Sequence, residues 1–232
     1  MGLFRNLTVS EITSQVLSIN AIAEKEYGKR ITNIVYMGMG EPFHNYTPVV
    51  DSAAILCDPL GLNLSPRRIT ISTVGLTRQI TQYADEKRPW NLAISLHAAD
   101  DDKRNRIMPI NESLDLAALK KSLEYYHRVM DQGVTYEYLL FDQFNDSPED
   151  ARKLANISRW IPSKINIIMY NDVEGVVLQR AKEDRLNRFM SELNKRQVRA
   201  TVRRSRGDDI DAGCGQLAIR EQDGRGKTIA KR

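Results

Sequence analysis

The feature that most constrains this chain is a repeated alternation of short, β-branched apolar runs with helix-patterned stretches. The runs are residues 31–37, 67–73, 92–97, 134–141, 165–170 and about 198–203. Helix patterns fall between them at about 47–57, 77–85, 113–131, 148–160 and 183–194. Strand runs separated by helices at this spacing predict parallel pairing through βαβ crossovers. Because the runs are continuously apolar, they predict a sheet covered on both faces or the wall of a barrel. Ahead of the first run, Thr8-Val9-Ser10-Glu11 is a capping box, and Ile12, Val16, Ile19 and Ala23 follow on one face. That predicts a helix from about Thr8 to Tyr27. Ser113 is expected to cap the long fourth helix, with Leu116, Leu119, Leu123 and Tyr126 inward, and 100–106 reads as a polar loop. A βα-repeat fold normally starts on a strand, so a first strand is expected to be missing. The sequence holds no internal repeat, linker or low-complexity segment.

The 232 residues suffice for one sizeable α/β domain. No apolar run reaches the roughly 18–20 residues of a membrane span, and Met1–Asn6 lacks the apolar core of a signal peptide. A cytoplasmic location is the expectation. There are two cysteines, Cys57 and Cys214. They exclude a disulfide framework and a cysteine-rich metal site built from this chain. A net charge of +4 permits nucleic acid without demanding it. Residues 1–218 are expected to form the core unit, and 219–232 a charged, frayed tail.

Candidate chemistry sits where strands end. Gly38 and Gly40 follow the first run and bring backbone close to its carboxyl end. Glu41 then presents a carboxylate, and Pro42 fixes the exit. In α/β folds ligands bind at the carboxyl ends of parallel strands. Glu41 there suits an ammonium group or several hydrogen-bond donors; the plain alternative is a βα turn with a solvated Glu. Three more runs end in Ser72 with Thr73, Ser95 with His97, and Asn171. Singly, each has a structural reading as a backbone-bonding Ser, a packed His or an Asx-turn. Jointly, on one rim, they favour a ligand site.

Further on, Cys214 lies between Gly213 and Gly215, and six basic residues fall between Lys195 and Arg206. The glycines leave the thiol unhindered, and nearby arginines favour the thiolate. The basic residues suit phosphates. An inert thiol and a solvated charged face are the alternatives.

Five motifs occur in order: Gly38-Met39-Gly40-Glu41-Pro42, Arg67-Arg68-Ile69-Thr70-Ile71-Ser72-Thr73, Ser95-Leu96-His97-Ala98, Met108-Pro109-Ile110-Asn111, and the run from Arg206 through Cys214 to Leu217. Together they resemble the radical S-adenosylmethionine (SAM) RNA methyltransferases of the RlmN/Cfr class, from Gly2 to Leu217. The likeness is nearer to the enzymes that methylate C2 of an adenine in 23S rRNA and some tRNAs than to those that act on C8. It implies a partial (β/α) barrel of radical SAM type. It also implies SAM held by Gly40, Glu41, Ser72, Ser95, Leu96, His97 and Asn171, with Glu41 on the ammonium. Cys214 would carry the methyl group as S-methylcysteine, and Arg203, Arg204 and Arg206 would contact RNA. A [4Fe-4S] cluster, an electron donor such as flavodoxin, and a monomer without membrane attachment complete what the resemblance implies.

Departures from the family pattern accompany it. The C-x-x-x-C-x-x-C run that holds the cluster is absent, as are the second catalytic cysteine and the N-terminal accessory domain. Met169 stands where the family more usually has proline. The expectation is an N-terminally truncated chain, lacking its first strand and inactive by itself for want of cluster ligands. The alternatives are a cluster-free remnant that binds SAM or RNA without catalysis, and an unrelated phosphate-binding barrel enzyme.

Overall fold

A computed structural model of the protein describes residues 4–38, 40–171 and 177–203. Six parallel strands form one sheet in the order β1-β2-β3-β4-β5-β6. They are β1 (Ile34–Tyr36), β2 (Ile69–Thr73), β3 (Asn91–Ser95), β4 (Val134–Leu140), β5 (Ser163–Met169) and β6 (Ala200–Arg203). The helices are α1 (Val9–Tyr27), α2 (Tyr46–Cys57), α3 (Thr77–Asp85), α4 (Asp101–Ile107), α5 (Leu116–Met130), α6 (Pro148–Ile157) and α7 (Glu183–Lys195). Parallel crossovers are almost always right-handed, so a strand order that never reverses puts all connecting helices on one face. The other face is left to curl inward, as in a barrel wall. Between the two alternatives for the apolar runs, the topology selects the barrel wall.

Register shows the two faces directly. Tyr36, Ile71 and Leu92 are neighbours across β1–β3, and Ile94, Tyr136, Ile165 and Ala200 across β3–β6. The strand residues among them from Ile71 to Ile165 are fully buried, together with Phe43, Leu123, Leu154 and Phe189. Each fully buried side chain of this size contributes about 1.5–3 kcal/mol. On the opposite face, Ser95, Glu137, Asn166 and Thr201 lie level with one another. At the two edges, Arg203 Nη1 comes to 4.0 Å from Met37 Sδ, so the ends of β1 and β6 approach each other across the curl.

The α1 capping box is present: Glu11 N–H donates to Thr8 Oγ1 at 3.3 Å, and Thr8 N–H to Glu11 Oε2 at 2.9 Å. The helix ends at Gly28 in the left-handed region and packs on α2. Several boundaries differ from expectation. β1 starts at Ile34, not Ile31, and β2 at Ile69, not Arg67. The register Ile34↔Ile69 sets residues 31–33 opposite Pro66–Arg68, which coil into a 3-10 turn and offer no ladder. Residues 100–106 are not a loop: Asp100 caps α4 by accepting from Lys103 N–H at 2.9 Å. α5 is capped by Asp115, which accepts from Ala118 N–H at 2.8 Å. Ser113 instead donates its hydroxyl to Ile110 O. α6 ends at Ile157 rather than Trp160, and β6 begins at Ala200 because Val198 N–H turns back to Leu193 O. Among the described residues no helix is long and apolar enough to cross a membrane. The tail from 219 lies outside the described residues.

Candidate functional site: a polar rim on a half barrel

Glu41 sits where β1 exits, as the N-cap of the 3-10 turn Pro42–Asn45. Its Oε1 accepts from Phe43 N–H at 2.9 Å and its Oε2 from Val74 N–H at 2.8 Å. One carboxylate thus joins the exits of β1 and β2. Each oxygen keeps a further lone pair for an incoming donor. Gly40 has φ +84°, which disfavours a side chain, and a Cβ there would meet open space. Gly75, after β2, has φ +106°, and a Cβ would lie 3.1 Å from Leu119 Cδ1.

Ser72 and Ser95 hydroxyls lie 3.4 Å apart at the ends of β2 and β3. Thr73, by contrast, accepts from Gly75 N–H and serves its own turn. Leu96 is fully buried in the core, so it offers backbone rather than side chain to the rim. His97 is held in the left-handed region at φ +55°. Its carbonyl accepts from Asn145 Nδ2 at 2.7 Å, and its Nδ1 accepts from Leu139 N–H at 3.1 Å. Burial, with the Arg104 charge nearby, pushes its pKa down to about 4. With Nδ1 as acceptor and the ring neutral, the proton is on Nε2. Asn171 follows the end of β5 and is half-buried.

Of three residues that sequence reasoning missed, Arg104 and Asn145 hold this rim and Glu137 lies below it on the inner face. Arg104 is 1% exposed. Its guanidinium donates to Val74 O at 2.6 Å, Leu96 O at 3.2 Å and Asn111 Oδ1 at 2.5 Å. It therefore fastens the exits of β2 and β3 and gives the Met108–Asn111 motif its purpose. Asn111 Nδ2 in turn donates to Asp101 and Asn105 side chains. Asn145, fully buried, bonds His97 O, Leu139 O and Phe141 N. Glu137, 4% exposed, lies on the inner face next to Ser95. For Arg104 a signal existed: Asp100 before an acidic first turn, with Arg104 and Arg106 later, is a short-helix pattern.

Arg203 is exposed at the end of β6. Arg204, Arg206 and Cys214 lie outside the described residues. Cys57 is at the far end of α2 from Glu41, and its Sγ accepts from Trp90 Nε1–H at 3.3 Å. Two surface hollows among the described residues lie elsewhere. One runs along α1 by Leu7, Ser10 and Ser14; the other lies at the amino ends of β5 and β6 by Arg159, Arg196 and Arg199. Neither touches the rim.

An α/β half barrel with a polar rim at its carboxyl end is the frame of radical SAM enzymes, and the solved structures agree. A radical SAM methyltransferase from Sphaerobacter thermophilus superposes with a TM-score of 0.89 at 42% identity, over 93% of this chain and 63% of that one. A domain of pyruvate-formate lyase-activating enzyme from Bacteroides vulgatus matches at TM-score 0.58 and 18% identity, over 75% of this chain and 99% of that domain, which shows the fold alone. No family model matches the sequence. Among curated proteins, a probable dual-specificity RNA methyltransferase RlmN from Salinibacter ruber is 52% identical over 225 residues, 96% of this chain and 61% of that protein. The chain belongs to this RlmN family of radical SAM methyltransferases, and it spans about three fifths of the length of the curated relatives it matches.

The family's cofactors are SAM and a [4Fe-4S] cluster. The rim chemistry fits the first: a fixed carboxylate, paired hydroxyls, a neutral imidazole and open space over Gly40. The residues of this chain do not fit the second. The sequence has two cysteines, and among the described residues no cluster of three His, Cys, Asp or Glu could hold a metal.

Proposed function

We propose that this chain is the SAM-binding, methyl-carrying part of an RNA methyltransferase acting on C2 of an adenine in 23S rRNA and some tRNAs. The observation that carries the reading is the convergence of Glu41, Ser72, Ser95 and His97 on one rim of the half barrel. Glu41, fixed by two backbone amides, takes the ammonium of SAM on its remaining lone pairs. Gly40 lets the ligand lie against bare backbone, and Ser72 and Ser95 hydroxyls supply exchangeable donors and acceptors. His97 offers an Nε2–H donor without charge, which avoids placing a second cation near the sulfonium. Asn171 completes the pocket at β5. Bound SAM supplies an electrophilic methyl group. The Cys214 thiol would take that methyl up, its sulfur displacing S-adenosylhomocysteine and its proton passing to solvent. Arg203, Arg204 and Arg206 neutralise RNA phosphates.

With two cysteines far apart in sequence, the chain supplies no cysteine trio for an iron–sulfur cluster. By itself the segment is expected to bind SAM without carrying its methyl group on to RNA; an electron donor of the flavodoxin kind, a monomeric state and a cytoplasmic location belong to the same reading. Equilibrium titration with SAM tests it. Saturable binding that Glu41→Ala weakens at least tenfold, with the fold intact by circular dichroism, is the expected result. No binding above background to the unsubstituted chain refutes it.

A further inference from the structure

Inside the curl, the carboxyl group of Glu137 is set up differently from that of Glu41 on the rim, whose two oxygens both accept from backbone amides. Glu137 is in the middle of β4, and its side chain faces the inner side with Ser95 and Asn166. It is 4% exposed. Oε1 accepts from Asn166 Nδ2 at 2.9 Å. Asn166 Oδ1 in turn accepts from Thr201 Oγ1–H at 2.9 Å, which steadies that amide. Oε2 is buried and has no hydrogen-bond partner among the described residues. A buried carboxyl oxygen left so costs roughly 1–3 kcal/mol, more when ionised. A group kept at that cost on the concave side of a ligand-binding half barrel points to a ligand.

Spacing identifies which part of the ligand. Glu41 stands at the exit of β1, and Glu137 is on β4, three strands away. Strands are about 4.8 Å apart, so the two carboxyls are about 14 Å apart along the sheet, and less across the curl. A SAM molecule with its ammonium on Glu41 brings its nucleoside half over β3 and β4. We infer that Glu137 is a ligand-binding residue whose Oε2 accepts a hydrogen bond from an N–H or O–H donor of the nucleoside half of SAM. This rests on the reading of the rim as a SAM site and adds a contact to it.

Proton linkage follows. Desolvation raises the Glu137 pKa above the ordinary carboxyl range, against the Asn166 hydrogen bond and the charges of Arg203 on β6 and Lys164 on β5. The other neighbours on this side are Ser95 on β3, Thr201 on β6, and His97 beyond β3, neutral down to about pH 4. A donor on Oε2 favours the ionised form, so the bound pKa is the lower one and binding releases a proton. Affinity for SAM then rises with pH between the bound and free pKa values and levels off above them.

The experiment is calorimetric titration of this chain with SAM from pH 5 to 7.5, in buffers of different ionisation enthalpy, with proton exchange from the ligand's own ammonium read from the Glu137→Gln titration. Unsubstituted protein is compared with Glu137→Gln, which keeps the shape and the Asn166 pairing, with Glu137→Leu, and with Glu41→Ala as control. The expected result is a loss of roughly tenfold for Glu137→Leu at pH 7.5, and for Glu137→Gln loss of the pH slope and of proton release. Tight binding by Glu137→Gln with slope and proton release unchanged overturns the inference. If Glu41→Ala still loses SAM in that case, the rim reading survives alone. If the unsubstituted chain does not bind SAM, both fall.

Discussion

The rim over β2–β4 and the inner face over β4–β6 are built from the same kinds of polar residue and use them in opposite ways. At the rim, Arg104, Asn145 and Glu41 each bond to backbone at the exits of neighbouring strands, and Asn111 accepts from Arg104. On the inner face, the chain Thr201–Asn166–Glu137 ends on an oxygen that has no donor among the described residues. The first arrangement sets geometry before any ligand arrives. The second holds a group in reserve. A closed network resists change, whereas an open-ended one responds to what binds it.

Breaking the rim should have the largest effect. Arg104→Met removes the donor shared by Val74 O, Leu96 O and Asn111 Oδ1, all drawn to a buried guanidinium. A loss of about 3 kcal/mol or more in urea unfolding is expected, and a loss within 0.5 kcal/mol would mean the rim does not depend on it.

Acid should act on the rim next. The folded pKa of His97, about 4, lies below the ordinary 6.5. The unfolded chain therefore binds the proton first as pH falls. Stability contributed by keeping this ring neutral is whole above about pH 6.5, declines between 6.5 and 4, and is gone below. The decline is at most about 3 kcal/mol, less for a ring partly open to water. His97→Gln should flatten that part of the stability–pH curve, and histidine proton NMR should place the titration near pH 4.

The inner face should give smaller, pH-dependent effects. Asn166→Leu leaves both Glu137 oxygens without a donor and raises its pKa further. A cost of about 1–2 kcal/mol is expected at neutral pH, shrinking in acid, where a protonated carboxyl is cheaper to bury. Equal cost at pH 5 and pH 7.5 would show that Glu137 does not ionise in this window. Thr201→Val only frees the Asn166 amide to turn, and about 0.5–1 kcal/mol is expected in the same unfolding assay.

The two regions were also unequally legible. Glu41, Ser72, Ser95 and His97 stand at the ends of apolar runs, where a polar residue interrupts a pattern and calls attention to itself. Arg104 lay in a seven-residue helix too short for periodicity to reveal, and Asn145 in a polar exit that resembles any other loop. Glu137 was hidden by its own surroundings, a single acid within the strand run 134–141.

The sequence by itself determined the alternation of strands and helices, the α1 capping box, the parallel class of sheet and the family likeness. These follow from local signals: side-chain periodicity, β-branching, caps and ordered motifs. Only the tertiary structure decided that the strands run in unbroken order, and that Glu137 meets Asn166, and Asn166 meets Thr201, on the inner face. Partners on neighbouring strands are fixed by register between segments about 29 and 35 residues apart. No local pattern encodes that register, because a shift of one residue leaves the composition of each strand unchanged and turns every side chain to the other face.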